Sequence, residues 1–141
     1  MSKAKLTDTE KLILERIKSY FDDQITLNRY EQELKILDND NSNSIAQYGK
    51  ERIKTSNVGS KIENYIIRKE NIRYSIHVLQ KRIAELDHAK NNLKKGQKTV
   101  VEEIMTGKKM TVIAKEMGKS KQQIYKLRKN ALKNMQIFLE L

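Results

Sequence analysis

TVIAKEMGKSKQQIYKLRKNAL, residues 111–132, sets Ala114 four positions before Gly118 and follows them with two aliphatic residues, Ile124 and Leu127, inside a basic run. Two helices that cross closely need a small side chain where they touch, a glycine in the turn, and apolar residues that hold the second helix on the first. The stretch therefore predicts a helix-turn-helix whose core is Ala114, Gly118, Ile124 and Leu127. Ile113 and Met117 extend the inner face of the first helix, and Ala131 and Leu132 that of the second. Ser120 and Gln123 have capping-box spacing, in which hydroxyl and carboxamide each satisfy an amide that the helix leaves unpaired.

With Ile124, Leu127 and Ala131 turned inward, Lys121, Gln122, Tyr125, Lys126, Arg128 and Lys129 are predicted to form the outer face. Side chains near the start of such a helix reach deepest into a major groove, so base-edge contacts are assigned to Lys121, Gln122, Tyr125 and Lys126. Lysine donates to guanine O6 and N7, and glutamine pairs with adenine N6 and N7. Lys109, Thr111, Lys119, Ser120, Arg128 and Lys129 are assigned to phosphates, which position the helix without reading sequence. A helical hairpin that packs without touching nucleic acid is the plain alternative. A solvated face of that kind would mix in acids, and this one has none.

The charge distribution points the same way. The chain has 141 residues and a formal charge of +11; residues 90–141 hold 13 Lys/Arg against 4 Asp/Glu, net +9, whereas residues 1–89 carry only +2. A positive field confined to one region suits a polyanion, because neutralised phosphates release counterions and add affinity. No apolar run approaches a membrane span. The N-terminus, MSKAKLTDTEK, lacks the apolar stretch of a secretory signal and the chain has no cysteine, so a cytoplasmic location is expected.

Upstream, the sequence reads as long helices. There is no proline, so nothing removes a backbone donor where apolar periodicity continues. Thr7 and Glu10 form a capping box before a stripe of Leu6, Ile13, Tyr20, Leu27 and Leu34 at intervals of seven. DNDNSNSIAQYG, residues 38–49, predicts a break, with a flexible loop over about 38–60, because short polar side chains compete for backbone hydrogen bonds. A second box, Ser60 with Glu63, opens a helix whose seam alternates steps of four and three from Val58 to Leu93 and includes Ile72, Ile76, Leu79, Ile83 and Leu86. Lys69 and Lys90 interrupt it. So regular a seam requires another helix, either the first one folded back or a copy from a second subunit. The expectation is an all-α chain: residues 1–96 a helical hairpin or coiled-coil-like oligomerisation region, residues 97–141 a DNA-binding helix-turn-helix. A dimer is favoured, with two recognition helices on half-sites about one DNA turn apart.

GKSKQQIYKLRKNALKNM resembles the recognition-helix region of sigma-factor region 4, where a capping Ser or Thr opens a basic helix ending in Lys/Arg-x-Ala-Leu. SKIENYIIRKE, the heptad helix and the terminal module together are similar to the phage-encoded ArpU, RinA and LtrC group of small transcriptional regulators, over roughly residues 58–138. The chain departs from that group in having the shorter KTVVEEIMTGKK where many members have an Arg- and Tyr-rich helix. The resemblance implies activation of phage late or packaging genes, together with the host's bacterial RNA polymerase.

Catalytic chemistry has no residues to carry it. His77 and His88 do not share a helix face, and without cysteine or a closely spaced second histidine no metal is expected. Asp22 and Asp23 are sequence neighbours and point apart on a helix. GKS at 118–120 lacks the earlier glycine of a phosphate-cradling loop, since Ile113 stands in its place. Neither enzyme activity nor a cofactor is expected. Two other readings stay open: a small terminase-like DNA-packaging component, in which the DNA-binding module usually comes first, and a coiled-coil interaction module whose basic tail is incidental.

Overall fold

Capping residues and glycines delimit most of the helices. The computed structural model describes residues 5–51 and 56–140, apart from the side chains of 40–51 and 56–59. Among these the chain is all-α: α1 Asp8–Lys18, α2 Tyr20–Glu51, α3 Ser56–Asn91, α4 Lys95–Met105, α5 Met110–Met117 and α6 Lys121–Met135, followed by a 3-10 turn, Gln136–Phe138. None of them is long and apolar enough to cross a membrane. The Thr7–Glu10 capping box forms with both of its hydrogen bonds, at 2.9 and 3.1 Å.

The continuous N-terminal helix read from the heptads is two helices. Ser19 stands between them, and its Oγ donates to the Arg16 carbonyl at 3.1 Å. The expected loop over 38–60 is corrected where it falls on described residues: α2 runs on to Glu51 and α3 covers Ser56 onward, so Ser60 lies inside a helix, while positions 52–55 lie outside the described residues. Asn, Asp and Ser each disfavour helix by only about 0.7 kcal/mol or less, and a proline-free run leaves every amide able to bond. Gly96 sits in the first turn of α4, where a Cβ would lie 3.8 Å from Leu127 Cδ2. Gly107 and Gly118 do end helices, at φ +86° and +65°. Each closes with a paired bond set, Lys108 N to Glu103 O with Gly107 N to Ile104 O, and Lys119 N to Ala114 O with Gly118 N to Lys115 O. These satisfy carbonyls the helix end leaves open.

The chain divides into two compact units, Gln24–Gln80 and Met1–Asp23 with Lys81–Leu141, not at residues 96 and 97. In the first of these, the partner of the heptad seam is α2. Ile72 and Leu37 are buried, Ile76 and Leu79 are half-buried, and Glu33 pairs with Arg68 at 2.6 Å. Lys69, one of the two interruptions, pairs with Asp38. The oligomer seam assigned from sequence is corrected accordingly: Ile72 is covered within the chain.

The second unit carries the larger core. Ile13 and Ile17 of α1, Leu86 and Ala89 of α3, Val100, Val101 and Ile104 of α4, Ile113 of α5 and Ile124, Leu132 and Met135 of α6 form one cluster, with Ile83 packed against it. Leu86 and Ile83 therefore also face their own chain. Each of the Val, Leu, Ile and Met side chains in that cluster contributes about 1.5–3 kcal/mol. Lys90, the other interruption, lies 3.6 Å from Glu102 of α4 and 3.8 Å from Asp87. Tyr20 donates to Asp87 at 2.8 Å, and burial, reinforced by that carboxylate, pushes its hydroxyl up to about 12.

Glu10 ties α1 to α6. It is 3% exposed and accepts from Lys129 Nζ at 2.8 Å, while Lys129 also donates to the Lys5 carbonyl at 2.6 Å. Burial alone would raise the Glu10 carboxyl, but the hydrogen bonds from Lys129 and the Thr7 amide hold it below its ordinary value. A lowered carboxyl stabilises the fold above the unfolded-state pKa, near 4.3, and that contribution fades as pH falls through the lower folded value. Glu10→Gln is expected to lose about 2 kcal/mol at pH 7 and to converge with the parent in acid. Urea titrations at pH 7 and pH 3 check this; equal losses at both would show that the charge contributes nothing.

Candidate functional site

α5 and α6 meet around the Gly118 turn, and Ser120 caps α6 with both bonds of its box formed: Gln123 N to Ser120 Oγ at 3.2 Å and Ser120 N to Gln123 Oε1 at 2.9 Å. Ile124 is fully buried and Ala114 6% exposed. Leu127, expected in the core, is only half-buried at its edge. α6 is flanked on one side by α4 and α5 and on another by α1. Its buried arc therefore runs from Ile124 and Ala131 through Leu132 and Met135 to Tyr125. It is wider than, and rotated from, the arc read from sequence.

That rotation redistributes the predicted contact residues. Lys119, Ser120, Gln122 and Lys126 are exposed as expected, together with Asn130 and Lys133. Lys126 and Asn130 lie one turn apart, and Lys119, Gln123, Lys126, Leu127 and Asn130 line a shallow groove of about 230 Å³. Gln123 spends its carboxamide oxygen on the cap. Asn130 and Lys133 were missed from sequence; Lys126 with its fourth and seventh successors would have found them once Leu132 and Met135 were counted as the inward stripe.

The remaining predicted contacts leave this face. Tyr125 is 6% exposed, and its assignment to a base edge is corrected: the ring is packed inward, with the Arg128 guanidinium 4.9 Å from its centroid. Arg128 is half-buried, and burial pushes its guanidinium below the ordinary value, although an arginine stays cationic at neutral pH. Lys129 is corrected as well, since its ammonium is held by Glu10 and the Lys5 carbonyl. Lys109, Thr111 and Lys121 are exposed, and with Tyr125 and Arg128 they border a second, larger cavity between α1, α5 and α6.

The geometry leaves α6 with five cations, Lys121, Lys126, Arg128, Lys129 and Lys133, and no carboxylate anywhere along it. Among the described residues no ion pair occupies Lys119, Lys121, Lys126 or Lys133. No group of His, Cys, Asp and Glu that could hold a metal ion is found among the described residues. Such a face can donate hydrogen bonds to phosphates and, through Gln122 and Asn130, exchange paired bonds with base edges. Comparison with protein-family models, with the curated proteins and with solved structures returns no match to this chain.

Proposed function

We propose that the chain binds double-stranded DNA through the exposed face of α6 and regulates transcription, with Gln122, Lys126 and Asn130 at base edges and Lys119, Ser120 and Lys133 at phosphates. The observation that carries the reading is the unpaired, acid-free outer face of a helix whose inner face is fixed by Ile124, Ala131, Leu132 and Met135. A helix held so rigidly presents its polar groups at little further entropic cost on binding. The C-terminal concentration of positive charge supports the same partner. With the resemblance to the ArpU, RinA and LtrC group, the more specific form is activation of phage late or packaging genes alongside bacterial RNA polymerase.

Self-association belongs to this reading but through a different surface from the heptad seam. Ile25 and Ile36 share a stripe of α2, Ile67 and Tyr74 share one of α3, and all four are more than half exposed. A second copy covering them would give a dimer and an operator of two half-sites.

Selection of bound duplexes from a random pool, followed by sequencing, tests the function. A recurring motif supports the regulator. Recovery of unselected sequence would instead favour a packaging role, and recovery of nothing a protein partner. Within an enriched motif, Gln122→Ala should relax preference at one base pair, at a cost of about 1–3 kcal/mol. Uniform loss across all sequences would remove Gln122 from readout.

A further inference from the structure

The cavity bordered by Lys109, Thr111, Lys121, Tyr125 and Arg128 has a volume of about 590 Å³ and is completed by α1 and by the end of α4. That is within the range of small-molecule sites, roughly 300–1,000 Å³. Its charge is one-sided. Lys18, Lys109, Lys121 and Arg128 line it, no carboxylate does, and none of the four has an ion-pair partner among the described residues. Lys108, also at the rim, is already committed to Glu103 and Glu116. Bringing four like charges around one hollow costs free energy unless an anion offsets it.

One further feature matches an anion. At the cavity's edge the first turn of α5 follows Lys109, which provides no side-chain cap. The amides of Met110 and Thr111 at that start lack intrahelical partners and carry the positive end of the helix dipole. Leu14, Ile104 and Met110 add apolar wall to the same cavity, beside the Tyr125 ring. A bare inorganic anion would leave that part unused.

We propose that this cavity binds a small organic phosphate, its phosphate held by Lys18, Lys109, Lys121 and Arg128 and its organic part lying against Leu14, Ile104 and Met110. The site is separate from the exposed DNA face of α6, because Lys121, Tyr125 and Arg128 share one side of that helix and Lys126 and Asn130 the opposite side. α1 contributes Leu14 and Lys18, so the ligand bridges α1 to α5 and α6 and stabilises their association.

Calorimetric titration of the full chain, without DNA, with adenosine 5′-monophosphate and separately with inorganic phosphate tests the site. The nucleotide should saturate at one per chain and bind about tenfold more tightly than inorganic phosphate, since only it uses the apolar wall. Lys18→Gln and Arg128→Gln should each weaken it about tenfold; Lys18 is exposed and outside the core, so its variant stays folded even where loss of Arg128 from the Tyr125 ring disturbs packing. Lys115→Gln, on the exposed side of α5, should bind the nucleotide as the parent does. No saturation by about 5 mM nucleotide, equal affinity for inorganic phosphate, or equal loss in the Lys115 variant would overturn the proposal. So would a Lys18 variant that lost duplex DNA affinity and kept nucleotide affinity, since the cavity would then belong to the DNA interface.

Discussion

Ile124→Asp is expected to unfold α1 along with the helices around position 124, because they share one core. Ile124 is fully buried in a cluster that includes Ile13 and Ile17 of α1, Leu86 of α3 and Val100 of α4. The buried residues of that cluster are all apolar among the described residues. An unpaired charge there costs several kcal/mol, even after relaxation, and shifts toward its neutral form at further expense. Against a total stability of about 5–15 kcal/mol for a small domain, that is enough to empty the folded state. Ile124→Val, which removes one methylene, should cost only about 1 kcal/mol. Hydrogen exchange followed by mass spectrometry reads the difference: amides of α1 should lose protection together with those of α5 and α6 in the Asp variant. Protection retained in α1 would mean that it folds independently of α6. By the same reasoning, a fragment of residues 97–141 should remain unfolded, since it lacks Ile13, Ile17, Leu86 and Ala89.

That shared core marks the limit of what local sequence pattern could show. The turn chemistry was legible: Thr7 and Ser120 cap, and Gly118 adopts the left-handed backbone that its place in the turn suggested. These features depend on a few neighbouring residues, whose side chains decide the outcome locally. The heptad seam was legible as a seam, but periodicity does not identify the partner helix, and α2 and the terminal helices occupy it within the chain. The Asn/Ser stretch misled because low propensity over a dozen residues is a weak tendency in a run without proline. The face of α6 was misread for a related reason. A helix between two neighbours on different sides buries a wide arc, and only Leu132 and Met135, read together with the α1 stripe, would have shifted its centre onto Tyr125 and Arg128. Lys129 could not be assigned from pattern at all, because its partner Glu10 is 119 residues away.

Lys126→Glu should produce the largest change in DNA binding of any single exposed substitution on α6. Lys126 projects between Gln122 and Asn130 on the outer face, is exposed, and takes part in no ion pair among the described residues. Its reversal leaves the core untouched, so the melting temperature should stay within the small range of surface substitutions, about 0.5 kcal/mol. Reversal removes the donor proposed for a base edge and adds an anion within a groove bounded by phosphates. Affinity should fall by about 2–3 kcal/mol at 50 mM salt, and the slope of log K against log salt should flatten by one to two units. Lys129→Gln separates charge from position. It removes one formal charge from the same helix, where Lys126→Glu changes the charge by two, and its ammonium is held by Glu10 and the Lys5 carbonyl. It should therefore lower stability by about 1–2 kcal/mol while leaving the salt slope nearly that of the parent. Fluorescence anisotropy across a salt series, on variants first checked for folding, measures both. If Lys129→Gln flattened the slope by half as much as Lys126→Glu or more, binding would follow overall charge and not the outer face of α6, and the proposed orientation on DNA would fail.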